Sequence, residues 1–179
     1  MANPIDTIYG YIQSLTNKRD EFALTKVFES VYPRRKTVNI TAATTLSELN
    51  HGMGRIITIN SAAGIALTLP ASTGQGARFR FVVGTAVTSS TLTIKVANAT
   101  DFMFGNAHQA GATGAATAFS TANTGTAATE SDTISMNGTT LGGLKGDYVD
   151  VEDYGVNAWR VTVNSRITGT AATPFSATV

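Results

Sequence analysis

Asp147, Asp150, Glu152 and Asp153 are the densest group of reactive side chains in the sequence. Oxygen-rich clusters of this kind hold Ca²⁺, and paired carboxylates hydrolyse glycosides. The neighbouring residues decide between these chemistries and a plain strand. Val149 and Val151 alternate with Asp150 and Glu152, which on a strand sends the valines inward and both carboxylates to solvent. The expectation is therefore a solvated strand face with Asp147 at the preceding turn, and Asp147, Asp150, Glu152 and Asp153 are only a secondary candidate for Ca²⁺. No resident metal or cofactor is expected.

Other reactive groups are sparse. Nucleophilic catalysis needs a base within hydrogen-bond reach of the nucleophile. The two histidines, His51 and His108, lie in Gly/Asn/Ala-rich contexts that predict solvated turns, and no G-x-S-x-G elbow occurs. Gly74-Gln75-Gly76 is a bare G-x-G that leads into a strand pattern at Phe79. A dinucleotide site needs a helix N-terminus there, so a turn is expected. Trp159 is expected as a core anchor rather than a sugar platform. No catalytic residue is assigned, and the chain is not expected to be an enzyme.

Two kinds of element must carry these residues. Over residues 1–36, Ile5, Ile8, Tyr9, Ile12 and Leu15 recur at three- and four-residue steps, the pattern of one apolar helix face. Asn3 suits the cap, Pro4 the first turn, and Asp6 the dipole. A second apolar series, Phe22, Leu24, Val27, Phe28, Val31 and Tyr32, ends at Pro33 and the basic run Arg34-Arg35-Lys36. A short helix is marginal alone and must dock. Two destinations are open: the end of its own domain, or another molecule, with residues 1–36 as a helical docking arm. For the arm, Ile5, Ile8, Ile12, Phe22 and Phe28 are the apolar contacts and Arg34, Arg35 and Lys36 the electrostatic ones.

From Thr37 onward the period is two. Ile57 and Ile59; Ile65, Leu67 and Leu69; Phe79, Phe81 and Val83; Leu92, Ile94 and Val96; Val149 and Val151; and Trp159, Val161 and Val163 each alternate with polar or small residues. Gly-, Ser- and Asn-rich turns separate them. This predicts an all-β domain over 37–179, an antiparallel β-sandwich or jelly-roll-like barrel with a short helical N-terminal extension. Residues 105–131 are nearly charge-free and rich in Gly, Ala and Thr. They predict a low-complexity surface loop, or an extended hairpin ordered by a neighbouring subunit.

Composition excludes several classes. The 179 residues hold no cysteine, so disulfides and thiolate metal sites are out. A net charge of +1 with 14% charged residues gives too little field for nucleic acid as a main partner. No apolar run is long enough for a membrane-spanning helix, and no membrane partner is expected. Met1-Ala2-Asn3-Pro4 begins no leader pattern, so synthesis in a cytoplasm is expected.

The order Arg55-Ile56-Ile57-Thr58-Ile59-Asn60, Gly64 through Leu69-Pro70, then Gly74-Gln75-Gly76-Ala77-Arg78-Phe79-Arg80-Phe81 resembles head-decoration and fibre-type modules of tailed bacteriophages. The Asn137-Gly138-Thr139, Gly142 to Asp147 and Trp159-Arg160-Val161 stretches are similar to the same group. The resemblance covers residues 37–179. It implies a structural virion protein made in the host bacterial cytoplasm: a homotrimer that binds the major capsid protein on the capsid surface and cements the head. The alternative is a receptor- or glycan-binding module of a tail fibre, for which Tyr148 and Tyr154 are the aromatic candidates.

Overall fold

Every strand series named above emerges with its apolar members inward in the computed structural model, which describes residues 37–52, 54–126 and 128–179. The expectations for the helical arm, and for Ile5, Ile8, Ile12, Phe22, Phe28, Arg34, Arg35 and Lys36, lie outside the described residues.

The larger sheet contains β1 (Thr37–Ile40), β3 (Ile56–Ile59), β5 (Arg78–Val83), β7 (Phe102–Ala110), β8 (Ala116–Ser120), β10 (Tyr148–Gly155) and β11 (Ala158–Arg166). Its spatial order is β1-β3-β5-β10-β11-β7-β8. The smaller sheet holds β2 (Thr44–Thr45), β4 (Ala66–Thr68), β6 (Leu92–Lys95), β9 (Thr133–Met136) and β12 (Phe175–Ser176), in the order β12-β9-β6-β4-β2. One helical turn, α1 (Glu48–His51), interrupts the first crossing, and His51 Nδ1 accepts the Ser47 N–H at 3.1 Å. Among the described residues no helix is long and apolar enough to cross a membrane.

The sheets are mixed, which corrects the antiparallel expectation. β1, β3 and β5 pair in parallel, with Thr37 opposite Ile56 and Ile56 opposite Arg80. β2, β4 and β6 do the same in the other sheet. A parallel neighbour needs a crossover, and here the crossover is a strand of the opposite sheet rather than a helix. Over Thr37–Lys95 the chain thus winds as a coil, one strand per sheet per turn. Single-strand periodicity reports which face is buried, not which way the neighbour runs, so this winding left no mark in the alternation.

Both sheets contribute to one hydrophobic core. Ile57, Ile59, Phe79, Phe81, Val149, Val151, Trp159, Val161 and Val163 come from the larger sheet, and Leu67, Leu92, Ile94, Ile134 and Met136 from the smaller. Trp159 is fully buried and lies 6.0 Å from the Phe79 ring, as the core-anchor expectation required. Each such side chain contributes roughly 1.5–3 kcal/mol of burial. At the Asn137-Gly138 turn, Gly138 has φ +78° and a Cβ there would sit 1.8 Å from the Val87 carbonyl oxygen, so only glycine fits.

Much of the low-complexity stretch is strand. β7 pairs in parallel with β11 along its whole length, and β8 folds back on β7 as a hairpin. Residues 105–110 and 116–120 thus form a hairpin, but one ordered on one side by its own chain's β11, whereas the sequence alternative placed a neighbouring subunit there. His108, expected in a turn, is an exposed residue of β7.

Candidate functional site

β10 carries the acidic cluster, and the strand period divides it. Asp147, Val149, Val151 and Asp153 form an inward row, while Tyr148, Asp150, Glu152 and Tyr154 form the outward one. Asp147 and Asp153 stand at opposite ends of the inward row, about 20 Å apart at strand rise. No group of three His, Cys, Asp or Glu side chains able to hold a metal ion occurs among the described residues.

The inward pair departs from the expected solvated face. Both carboxylates are buried, and each fastens a loop. Asp153 accepts the Ser72 hydroxyl at 2.8 Å and the backbone N–H groups of Thr73, Gly74 and Gln75 at 2.9, 2.8 and 3.3 Å. The G-x-G turn is thus an anion-binding nest whose anion is the chain's own Asp153. Gly74, at φ +77°, aims its N–H into this nest. At the other end, Asp147 accepts the N–H groups of Gly143 and Leu144 at 2.9 Å each and that of Arg166 at 3.1 Å.

Three further buried acids were missed in the sequence. Asp101 accepts the Ser72 N–H at 3.0 Å, Glu130 the Thr124 N–H at 2.7 Å, and Asp132 the Thr178 and Val179 N–H groups at 2.8 and 3.0 Å. A usable signal was present. Asp101 and the Glu130-Ser131-Asp132 pair each stand beside a Thr/Ser/Asn-rich segment in a chain with few charges, and such segments have spare backbone donors.

Asp153 also sets a pH dependence. Burial pushes its carboxyl upward, but the hydrogen bonds from Thr73, Ser72, Gly74 and Gln75 outweigh this and hold it below the ordinary carboxylate range. A carboxyl lowered on folding contributes stability that is complete above its unfolded value, about 3.9. That stability is lost as pH falls through the lower folded value. The melting temperature is expected to be level in this respect from neutral pH to about 3.9, then to fall. Thermal melts of the wild type and Asp153→Asn check this. The variant should lack this component of the acid limb.

The outward pair behaves as alternation predicted. Arg80 holds Asp150 through two hydrogen bonds of 2.6 Å, with its guanidinium 5.9 Å from the centre of the Tyr148 ring. Glu152 is bridged by Arg78 on one side and Arg160 on the other. These arginines are largely exposed, and such pairs contribute no more than about 1 kcal/mol each. The double substitution of Asp150→Asn and Glu152→Gln is therefore expected to leave the fold intact and to cost about 1–2 kcal/mol in a denaturant titration. Chelator should not move the melting temperature of the wild type. A chelator-dependent drop that the double variant lacks would reinstate a Ca²⁺ site.

The two aromatic candidates do not converge. Tyr148 and Tyr154 lie at opposite ends of the outward row, and Tyr154 meets Phe104 edge-on at 6.4 Å. The rest of this outward face of the larger sheet carries Arg, Asp, Glu, Thr and Asn side chains.

Comparison of the chain with protein-family models, with curated proteins and with solved structures gives no match.

Proposed function

We propose that the chain is a capsid decoration protein of a tailed bacteriophage, a structural rather than catalytic component of the virion. The observation that carries the reading is how the reactive side chains are used. Among the described residues every side-chain carboxylate but Glu48 either fastens a loop, as Asp101, Glu130, Asp132, Asp147 and Asp153 do, or neutralises neighbouring arginines, as Asp150 and Glu152 do. What they leave on the outward face of β10 is an internally neutralised, ion-paired surface, which suits adhesion to a large partner better than turnover of a small one.

The resemblance of residues 37–179 to head-decoration modules supports the same reading. Its quoted stretches become β3, β4, the Asp153-bound turn and β5, together with the connection between β9 and β10 and part of β11, so the likeness falls on both the coil and the later strands. In the proposed mechanism three chains form one trimer on assembled major capsid protein. Binding to the intact shell alone stabilises it by mass action. Three attachment points make the second and third contacts effectively intramolecular. Ile5, Ile8, Ile12, Phe22 and Phe28 are the proposed apolar contacts, with Arg34, Arg35 and Lys36 as electrostatic ones. The separation of Tyr148 from Tyr154 gives the glycan-binding alternative no assembled site.

The experiment is co-sedimentation of the purified chain with shells stripped of decoration. Saturable binding, with shells that then resist heat or low salt, is the expected result. Free protein left in the supernatant at every ratio refutes the proposal.

A further inference from the structure

β8 ends the larger sheet in a way that strand edges seldom end. Edges are normally blunted by Lys, Pro, bulges or inward charges, because their free N–H and C=O groups template pairing with another chain. The β8 sequence, Ala116-Thr117-Ala118-Phe119-Ser120, has none of these devices, and its pairing with β7 runs without a register shift. No Asp, Glu, Lys or Arg occurs from Phe102 to Thr129. β8 is also the one strand of the larger sheet with no buried residue.

The hairpin register fixes which backbone groups face outward. The Gly111 N–H donates to Ala115 O at 2.7 Å and the Thr121 N–H to Gly105 O at 3.0 Å. Between them Ala107 stands opposite Phe119 and Gln109 opposite Thr117. In an antiparallel ladder hydrogen-bonded pairs alternate with non-bonded ones. Residues 117 and 119 therefore bond β7, and Ala116, Ala118 and Ser120 direct their N–H and C=O groups away from it. The Ala110 C=O confirms the alternation by accepting the Ile167 N–H on the other side of β7, at 3.0 Å.

We infer that this edge pairs with the β8 edge of a second copy, antiparallel about a two-fold axis at Ala118, so that two larger sheets become one. The strand is self-complementary about that point. Ala118 meets Ala118, Ala116 meets Ser120, and Thr117 meets Phe119. The first two keep one face of the seam small, and the third is a favourable β-branched–aromatic pair on the other. The three outward-facing residues of each copy then exchange all their N–H and C=O groups across the seam. With no formal charge on the segment, closure desolvates none. The contact is two-fold and distinct from the three-fold contacts of a trimer, so it links one trimer to the next. It requires no capsid, and its test stands apart from that of the decoration role.

The test is solution mass across a dilution series for the full chain and two variants. Ala118→Pro removes the central outward donor at a position that does not bond β7. Ala118→Lys keeps the backbone and places two ammonium groups against each other at the axis. Circular dichroism establishes that both variants fold. The expected result is a wild-type species at high concentration with more chains than either variant: two against one for a single chain, and six or a larger multiple of three against three if the trimer holds. Hydrogen exchange at Ala118 should slow as concentration rises. Equal masses for all three proteins at the highest soluble concentration would overturn the inference. So would protection of Ala118 that is independent of concentration, because the chain itself would then cover the edge.

Discussion

A chain lacking residues 1–36 is expected to fold cooperatively and to bind decorated-type shells at least about 100-fold more weakly than the full chain. The fold half of this result rests on the core. β1 starts at Thr37, and the two sheets from Thr37 to Val179 enclose Trp159, Phe79, Phe81 and their neighbours among themselves. The binding half rests on Ile5, Ile8, Ile12, Phe22 and Phe28. Burying two of them against a coat protein supplies about 3–6 kcal/mol, and each 1.4 kcal/mol is a tenfold change in affinity. Thermal melts and co-sedimentation of the truncated chain separate the outcomes. An aggregating or unfolded truncation means that the segment caps its own domain. A folded truncation that binds shells undiminished removes the arm from the account.

Asp153→Ala is expected to be the most damaging single substitution in the acidic cluster. It strands the N–H groups of Thr73, Gly74 and Gln75 and the Ser72 hydroxyl at once. It also breaks a link between residues 72–75 and the end of β10, far apart in sequence. Hydrogen bonds to a charged group contribute about 1.5–3 kcal/mol each, reduced here because several of the donors are partly exposed. A loss of about 3 kcal/mol, or a melting-temperature fall of roughly 10 °C for a domain of this size, is the expected result. Asp153→Asn, which retains one acceptor oxygen, should lie between. A change in Asp153→Ala no larger than that of the Asp150→Asn, Glu152→Gln double variant would show that the nest is not a structural lock.

The sequence alone was enough to place the faces of the strands. Alternation placed Phe79, Phe81, Val149, Val151, Trp159, Val161 and Val163 inward and Asp150 and Glu152 outward, because a pleated strand has a period of two whatever surrounds it. It was silent on direction and partners, so the parallel coil of β1 to β6 went unforeseen. Asp147 and Asp153 belong to the same alternation, which extended by one step at each end would have turned both inward. A buried carboxylate reads as exposed in sequence unless its donors are known, and those of Asp153 lie some eighty positions earlier. The hairpin of β7 and β8 was obscured for another reason. Ala, Gly and Thr carry little hydrophobic contrast, so its period did not stand out, although β7 is paired along its whole length with β11 and folds back onto β8.

Cryo-electron microscopy of whole particles bearing this chain tests the central claim most directly. The account predicts density for a small two-sheet β-domain on the outside of the shell, seated where capsomers meet and repeated over the head. Density confined to the tail tip would contradict it.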